Sequence, residues 1–306
     1  MVNLFILQVL NGFQLGILLF LVAAGLTLIF GIMDFINISH GILYMVGGYL
    51  MATFATMTGN FWLGMLMALP AAILFGLVLE VLIFRRLYDR SHLDQVLATF
   101  GLTMILNEGV QVIWGSSPLN VQVPDLLSSS VPLLGIIQYP VYRIAILAVG
   151  LLVAAGLYLL ISHTRTGMLL RAGASNRPMV SALGVNVRQL FALVFAFGAM
   201  LAGFAGALVA PVLSVDPGMG ESVLILTFVV IVIGGIGSVK GAFVAAILVG
   251  VVDTLGRTFG PIWLQLVMDP SAASQVGRTL APMLIYILMA VVLSIRPAGL
   301  FGRGTA

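Results

Sequence analysis

The sequence predicts an all-α polytopic membrane protein, and three observations carry that prediction. Hydrophobic types make up 61% of the 306 residues and charged types 8%, whereas a soluble domain carries about 25% charged residues. A water-soluble monomer is thereby excluded. The apolar residues gather in nine hydrophobic segments near the length of a membrane helix, for which a bilayer requires about 20 residues. The segments also lack the alternating polarity, over roughly ten residues, of membrane-barrel strands.

The segments cover about 4–30, 40–58, 62–84, 95–114, 140–162, 189–213, 222–236, 241–258 and 279–295, each continuous enough to read as one helix. The start, MVNLFILQVLNG, has no basic region of the kind that opens a secretory signal, so the first segment is expected to stay in the mature chain. Between the first and second lies IFGIMDFINISHG (29–41), and between the seventh and eighth VIGGIGSVKG (232–241). These are two Gly-rich breaks. Irregular backbone at membrane depth is tolerated where it is buried in protein or lines a watery cavity, so they read either as tight turns or as parts of a route. In the sixth segment, Gly198, Ala202, Gly206 and Ala210 recur every four residues beside Ala199, Gly203 and Ala207. That spacing lets helix backbones approach closely, inside the subunit or against a second one.

Charge sets the orientation. Of the 13 basic residues all but Lys240 are Arg. Ten fall in the connections 85–94 and 163–188, at the Lys240 turn and in the tail with Arg296 and Arg303; three, Arg143, Arg257 and Arg278, fall on the other side. Cytoplasmic connections collect basic residues, so the N-terminus is expected outside and the C-terminus in the cytoplasm. The outer loop of about 115–139 has no Lys or Arg and is rich in Ser and Pro. It reads as a solvated loop or a docking place. No soluble domain interrupts the pattern, so 1–306 is expected to be a single transmembrane domain. A net charge of +3, scattered, makes no nucleic-acid surface.

Most chemistry is excluded. The absence of Cys rules out thiolate metal sites and cysteine catalysis. His40, His92 and His163 lack metal-ligand spacing, no Gly-x-Ser-x-Gly elbow occurs, and Lys240 is followed by Gly241 where a P-loop needs Ser or Thr. No catalytic or metal-binding residue is expected, and no cofactor in this chain. Glu80 precedes Arg85 and Arg86 and reads as interfacial; Asp253 and Arg257, four apart, read as a structural ion pair. Asn107 and Glu108 fall inside a segment, where ionisable groups default to function. They are taken as a polar intersubunit contact or a coupling-ion or substrate site. Asp34, Asn37, Ser39 and His40 supply donors and acceptors for a zwitterionic or amide solute; a capped helix start at Asn37 or Ser39 is the alternative. In HTRTGMLLRAGASNRPMVSALGVNVRQL (163–190), a short helix over about 178–183, capped by Asn176 or Ser175 and closed by Gly184, fits the start and stop rules.

The segments GLTLIFGIMDFINISHGILYMVGGY (25–49), LATFGLTMILNEGVQVIWG (97–115), TRTGMLLRAGASNRPMVSALGVNV (164–187) and VIGGIGSVKGAFVAAILVG (232–250) together resemble the LivH-type permease subunit of branched-chain amino acid ABC importers. Asn37, His40 and Gly41 match that family's Asn-x-x-His-Gly element, and Gly234, Gly235, Gly237 and Ser238 its Gly-Gly-x-Gly-Ser element. The resemblance implies a multi-pass permease of the bacterial inner membrane that works with a companion permease and two cytoplasmic P-loop ATPases holding ATP and Mg. A periplasmic solute-binding protein would deliver the solute. The segment 171–186 would then be the coupling loop, with Arg171, Ala174, Ser175, Asn176, Ala182 and Gly184 facing the ATPase. Asn176-Arg177 departs from the acidic residue common there in the family. The same family includes permeases for urea, amides and aromatic or dicarboxylic acids, so the solute stays open, and a proton-coupled secondary transporter using Glu108 or Asp34 is the rival mechanism.

Overall fold

The structure is a computed structural model that describes residues 1–133 and 137–302. Arg303 of the basic tail and 134–136 of the outer loop lie outside the described residues, as do the side chains of Arg177 and Pro178. Among the described residues the fold is all-α apart from one small strand pair and an isolated bridge between Leu119 and Val215. Its elements are α1 (Val2–Met33), α2 (His40–Thr58), α3 (Phe61–Leu82), α4 (His92–Trp114), β1 (Ser130–Leu133), β2 (Ile137–Pro140), α5 (Val141–His163), α6 (Arg165–Ser175), α7 (Arg177–Ala182), α8 (Val187–Val209), α9 (Met219–Gly234), α10 (Val239–Leu264), α11 (Pro270–Leu280) and α12 (Met283–Ile295).

Among the described residues seven helices are long and apolar enough to cross a membrane, and α11 with α12, bent by 45°, makes an eighth if counted as one span. The nine apolar runs therefore resolve differently from nine equal spans. The run at 222–236 becomes α9, 16 residues long or about 24 Å, short of a hydrocarbon core of about 30 Å. The run at 279–295 becomes α12 plus the bent α11, whose Gly277 lies against the Pro261 ring of α10. Ahead of α5, β1 and β2 pair antiparallel, with Val131 opposite Tyr139.

The chain divides into two compact units. One comprises 21–124 and 152–225. Its core is the mutual packing of α2, α3 and α8. The small residues of α8 make this possible inside the chain: Gly47 stands on Gly203, Gly25 on Gly198 and Gly206 on the Tyr44 carbonyl, so close that a Cβ added at Gly47, Gly25 or Gly206 would meet backbone. The helix starts are locally encoded. Asn60 caps α3 by accepting from Trp62 N at 2.8 Å and Leu63 N at 3.2 Å, and Ser91 caps α4 by accepting from Asp94 N at 3.3 Å. Both satisfy amides that a helix leaves orphaned. Buried Glu80 at the end of α3 accepts from Arg85 Nη2 at 2.9 Å and from the Tyr88 hydroxyl at 3.1 Å. Burial first, and then the Glu80 carboxylate, push the Tyr88 phenol pKa up, which keeps it the donor.

The other unit comprises 1–20, 125–151 and 226–306. Here Gly12 and Gly16 of α1 lie against Val251 and Ile247 of α10. Arg143, at the start of α5, donates to Asn11 Oδ1 at 2.7 Å, and Arg257 Nε stands 2.8 Å from both oxygens of Asp253, the ion pair that the four-residue spacing predicts.

Candidate functional site

The first break, 34–39, separates α1 from α2. Asp34 ends α1 in the left-handed region, at φ 51°, a conformation that costs a residue with a Cβ about 1–2 kcal/mol. Beyond it the backbone is held by side chains of α4. Ile36 N donates to Gln95 Oε1 and Ile38 N to Thr99 Oγ1, each at 3.2 Å. Gln95 and Thr99 lie four residues apart and share one helix face, so α4 presents acceptors one turn apart to amides two residues apart in an extended segment. Gln95 also donates through Nε2 to Leu87 O and Arg90 O, tying the break to the connection before α4. Phe35, fully buried, seats its ring against Phe84 and Tyr88, both centroids 5.6 Å away.

Three of the four polar side chains expected here come together and are buried: Asn37, Ser39 and His40. Ser39 Oγ donates to Asn37 Oδ1 at 2.7 Å, and His40 Nε2 lies 3.2 Å from the Val22 carbonyl of α1. Neither cap reading holds: Ser39 precedes α2 but makes no side-chain cap hydrogen bond, and the Asn37 oxygen is taken by Ser39. The fourth, Asp34, lies elsewhere. Its side chain is 65% exposed and faces His92 at 3.9 Å, so it stands apart from the buried trio. Gly41 follows, closed onto the Gly220 backbone.

The second break is a short turn between α9 and α10. Gly234 and Gly235 are buried, Gly237 is exposed, and Ser238 caps α10 by accepting from Gly241 N at 3.0 Å. The C-terminal segment after α12 closes over it: Leu300 N donates to Ile233 O at 2.8 Å and Phe301 N to Gly234 O at 3.0 Å. Gly235 (φ 96°) and Gly299 (φ 79°) meet where the two backbones touch, a conformation and an approach open to glycine.

In the basic segment, the expected short helix is α7, Arg177–Ala182, capped by Asn176 Oδ1 accepting from Met179 N at 3.0 Å and ended at Gly184 (φ 84°). An additional helix, α6, precedes it; Thr164 caps α6 by accepting from Gly167 N at 3.0 Å. Arg171, Ala174, Ser175, Asn176, Ala182 and Gly184 are all exposed. So are the apolar Met179 (58%) and Leu183 (76%). Arg171 also donates to the Ile161 carbonyl. On α4, Asn107 donates to Glu221 of its own unit, so that contact is made within the chain, while Glu108 is exposed.

Residues 8–293 match the family described as branched-chain amino acid transport system / permease component. The chain belongs to that family. The high-affinity branched-chain amino acid transport system permease protein BraD of Pseudomonas aeruginosa is 31% identical to this permease over 97% of the chain and 95% of its own length. The corresponding permease protein LivH of Escherichia coli K12 is 28% identical over 98% and 96%. No solved structure matches the chain. The chain is thus a multi-pass membrane permease, a transport component by family. Among the described residues no group of three or more His, Cys, Asp or Glu could hold a metal ion.

Sequence reasoning missed the residues that hold the permease's first break: Gln95, Thr99 and Phe35. A signal existed, because Gln95, Thr99 and Thr103 are polar, four apart and buried in an otherwise apolar run, and so mark one face of α4. Their partners, about sixty residues upstream, carry no local mark.

Proposed function

We propose that this chain is one of two permease subunits of an ATP-driven importer in the bacterial inner membrane, and that it translocates branched-chain amino acids. The observation that carries the reading is the end-to-end match, over 97% of the chain, to a relative named as a branched-chain amino acid transport permease. The chain acts as one permease domain with the N-terminus outside and the C-terminus in the cytoplasm, a reading supported by the excess of basic residues in alternate connections. A companion permease completes the membrane part, two cytoplasmic P-loop ATPases supply ATP hydrolysis with Mg, and a periplasmic binding protein delivers the solute. The permease itself performs no catalysis.

Asn37, Ser39, His40 and Gly41, with Gly234, Gly235, Gly237 and Ser238, are assigned to the solute path. Asp34 sits at its exposed margin. The surface from Arg171 to Gly184 is assigned to ATPase coupling: Arg171, Ala174, Ser175, Asn176, Ala182 and Gly184 are exposed, the stretch is basic and free of acidic residues, and it offers Met179 and Leu183 to an apolar groove. Glu108, exposed on an apolar helix, fits a polar contact with the companion permease.

The test is to solubilise the tagged protein gently from its native membrane and identify what purifies with it by mass spectrometry. Recovery of P-loop ATPases and a second apolar permease is expected. Isolation of the chain alone, under conditions that preserve a known ABC complex, sinks the reading. The coupling assignment has its own check: Gly184→Pro is expected to abolish uptake and leave the two permeases assembled, and full uptake by that variant counts against it.

A further inference from the structure

Two atoms of the first break have no hydrogen-bond partner among the described residues: Asn37 Nδ2 and His40 Nδ1. Both side chains are fully buried, and in each the other polar atom is already committed. Asn37 Oδ1 accepts from Ser39 Oγ, which orients the amide and leaves its NH2 as the spare group. His40 Nε2 lies against the Val22 carbonyl. A carbonyl can only accept, so Nε2 carries the hydrogen; a second hydrogen on Nδ1 would bury an ion without a partner, so Nδ1 holds a lone pair. The break therefore keeps one spare donor and one spare acceptor, three residues apart. Buried polar groups without partners are destabilising and rare, and each one in a native fold calls for a reason.

We propose that Asn37 and His40 are the solute-recognition pair of this permease: Asn37 Nδ2 donates to the carboxylate, and His40 Nδ1 accepts from the ammonium, of a zwitterionic amino acid in transit. The assignment rests on the importer reading above. It matches the solute's chemistry, since a carboxylate can only accept and an ammonium can only donate. An amide offers the same acceptor and donor without the charges, so it is the importer reading that selects the zwitterion. The pair is also held in place beforehand. The Val22 carbonyl fixes the imidazole, Ser39 fixes the amide, and Gln95 and Thr99 fix the backbone on which both sit, so little ordering remains to be done on binding. Because both side chains are enclosed here, the structure corresponds to the path shut at the break.

The experiment uses the whole importer in proteoliposomes, with its binding protein and ATPases, and reads ATP-driven leucine uptake beside binding-protein-stimulated ATP hydrolysis. Asn37→Asp is isosteric and replaces the spare donor with a carboxylate that repels the solute's own. His40→Phe keeps a ring and removes both nitrogens, whereas His40→Gln keeps an N–H for Val22 and an amide oxygen as acceptor. Asn37→Asp and His40→Phe are expected to lower uptake by about tenfold or more with hydrolysis retained, and His40→Gln to recover part of it. Uptake unchanged in Asn37→Asp and His40→Gln overturns the proposal if His40→Phe fails to assemble, and unchanged uptake in all three overturns it outright. Parallel loss of uptake, hydrolysis and assembly in Asn37→Asp and His40→Gln also overturns it, since it assigns the pair to structure, as a buried water held by both atoms would. A wild-type complex that imports no amino acid on ATP fails at the importer reading itself, a result distinguishable because no variant is needed to obtain it.

Discussion

The two glycine-rich breaks interrupt apolar helices in similar sequence style, yet they are held by opposite means. The first is held by side chains: Gln95 and Thr99 accept the Ile36 and Ile38 amides, and the Phe35 ring anchors the segment among aromatics. The second is held by backbone: the Leu300 and Phe301 amides cap the last carbonyls of α9, with Gly235 against Gly299. Either device satisfies polar groups that lipid could not. They differ in what can move. A side-chain acceptor can rotate away and release its amide, whereas a backbone-to-backbone seam between two glycines has no rotamer to change. The first break is thus suited to rearrangement during transport and the second to serving as a fixed part of the path.

The largest expected effect breaks the second seam. At Gly299 a Cβ would stand 2.6 Å from Gly235 N, in a left-handed conformation. Gly299→Val is expected to destabilise the protein by roughly 3 kcal/mol or more, from backbone strain and a clash with backbone that cannot step aside. The measurement is thermal unfolding of the detergent-solubilised protein, beside Gly101→Val, where a Cβ meets nothing within 4 Å. Equal unfolding temperatures for the two would show that the tail does not lock the turn.

Next come the acceptors of the first break. Gln95→Leu and Thr99→Val each strand a backbone amide, at a cost of about 1–3 kcal/mol, and Thr99→Ser, which keeps the hydroxyl, is expected to be near neutral. Hydrogen exchange by mass spectrometry sharpens the comparison, because protection should fall at Ile36 and Ile38 and stay unchanged at Leu300 and Phe301. Loss of protection at all four would mean that the two breaks are not independently held.

A smaller effect is expected from the cap. Ser238→Ala removes the acceptor of Gly241 N and should cost about 1 kcal/mol. If it costs as much as Gly299→Val, the side-chain cap rather than the backbone seam dominates the second break.

Legibility in the sequence followed interaction range. The seven long helices were readable because each is a continuous apolar run, and α7 because Asn176 and Gly184 are local start and stop signals. The small-residue face of α8 was readable as a packing face, though its partners Gly25 and Gly47 were not. α6 was missed because it lacks an apolar run: its buried Gly167, Leu170 and Gly173 include two glycines that sequence rules count against a helix. The hairpin was missed because four-residue strands in a Ser/Pro-rich loop fall below any periodicity. At the candidate site, Asn37, Ser39 and His40 were visible as polar residues in an apolar context. That Asp34 takes a left-handed φ and faces His92 instead of the buried trio has no mark in the sequence. Gln95, Thr99 and the tail seam depend on residues about sixty apart, which no single sequence records.

Asp34 supplies the smallest prediction and the one with reversed sign. A residue with a Cβ at φ 51° is strained by about 1–2 kcal/mol, and the side chain's approach to His92 at 3.9 Å is long and exposed, a surface pairing worth little. Asp34→Gly removes the strain and adds unfolded-state entropy of roughly 0.5–1 kcal/mol. The two nearly offset, leaving a net stabilisation of about 0.5 kcal/mol. Asp34→Ala keeps the strain and loses the carboxylate, so it should be the less stable of the two. Comparing these variants by denaturant midpoint isolates the backbone contribution: Ala at least as stable as Gly would show that the first break stores no strain at its hinge. Gly ahead of Ala, with uptake by Asp34→Gly preserved, would place the rearranging element after residue 34, in the segment that Gln95 and Thr99 hold.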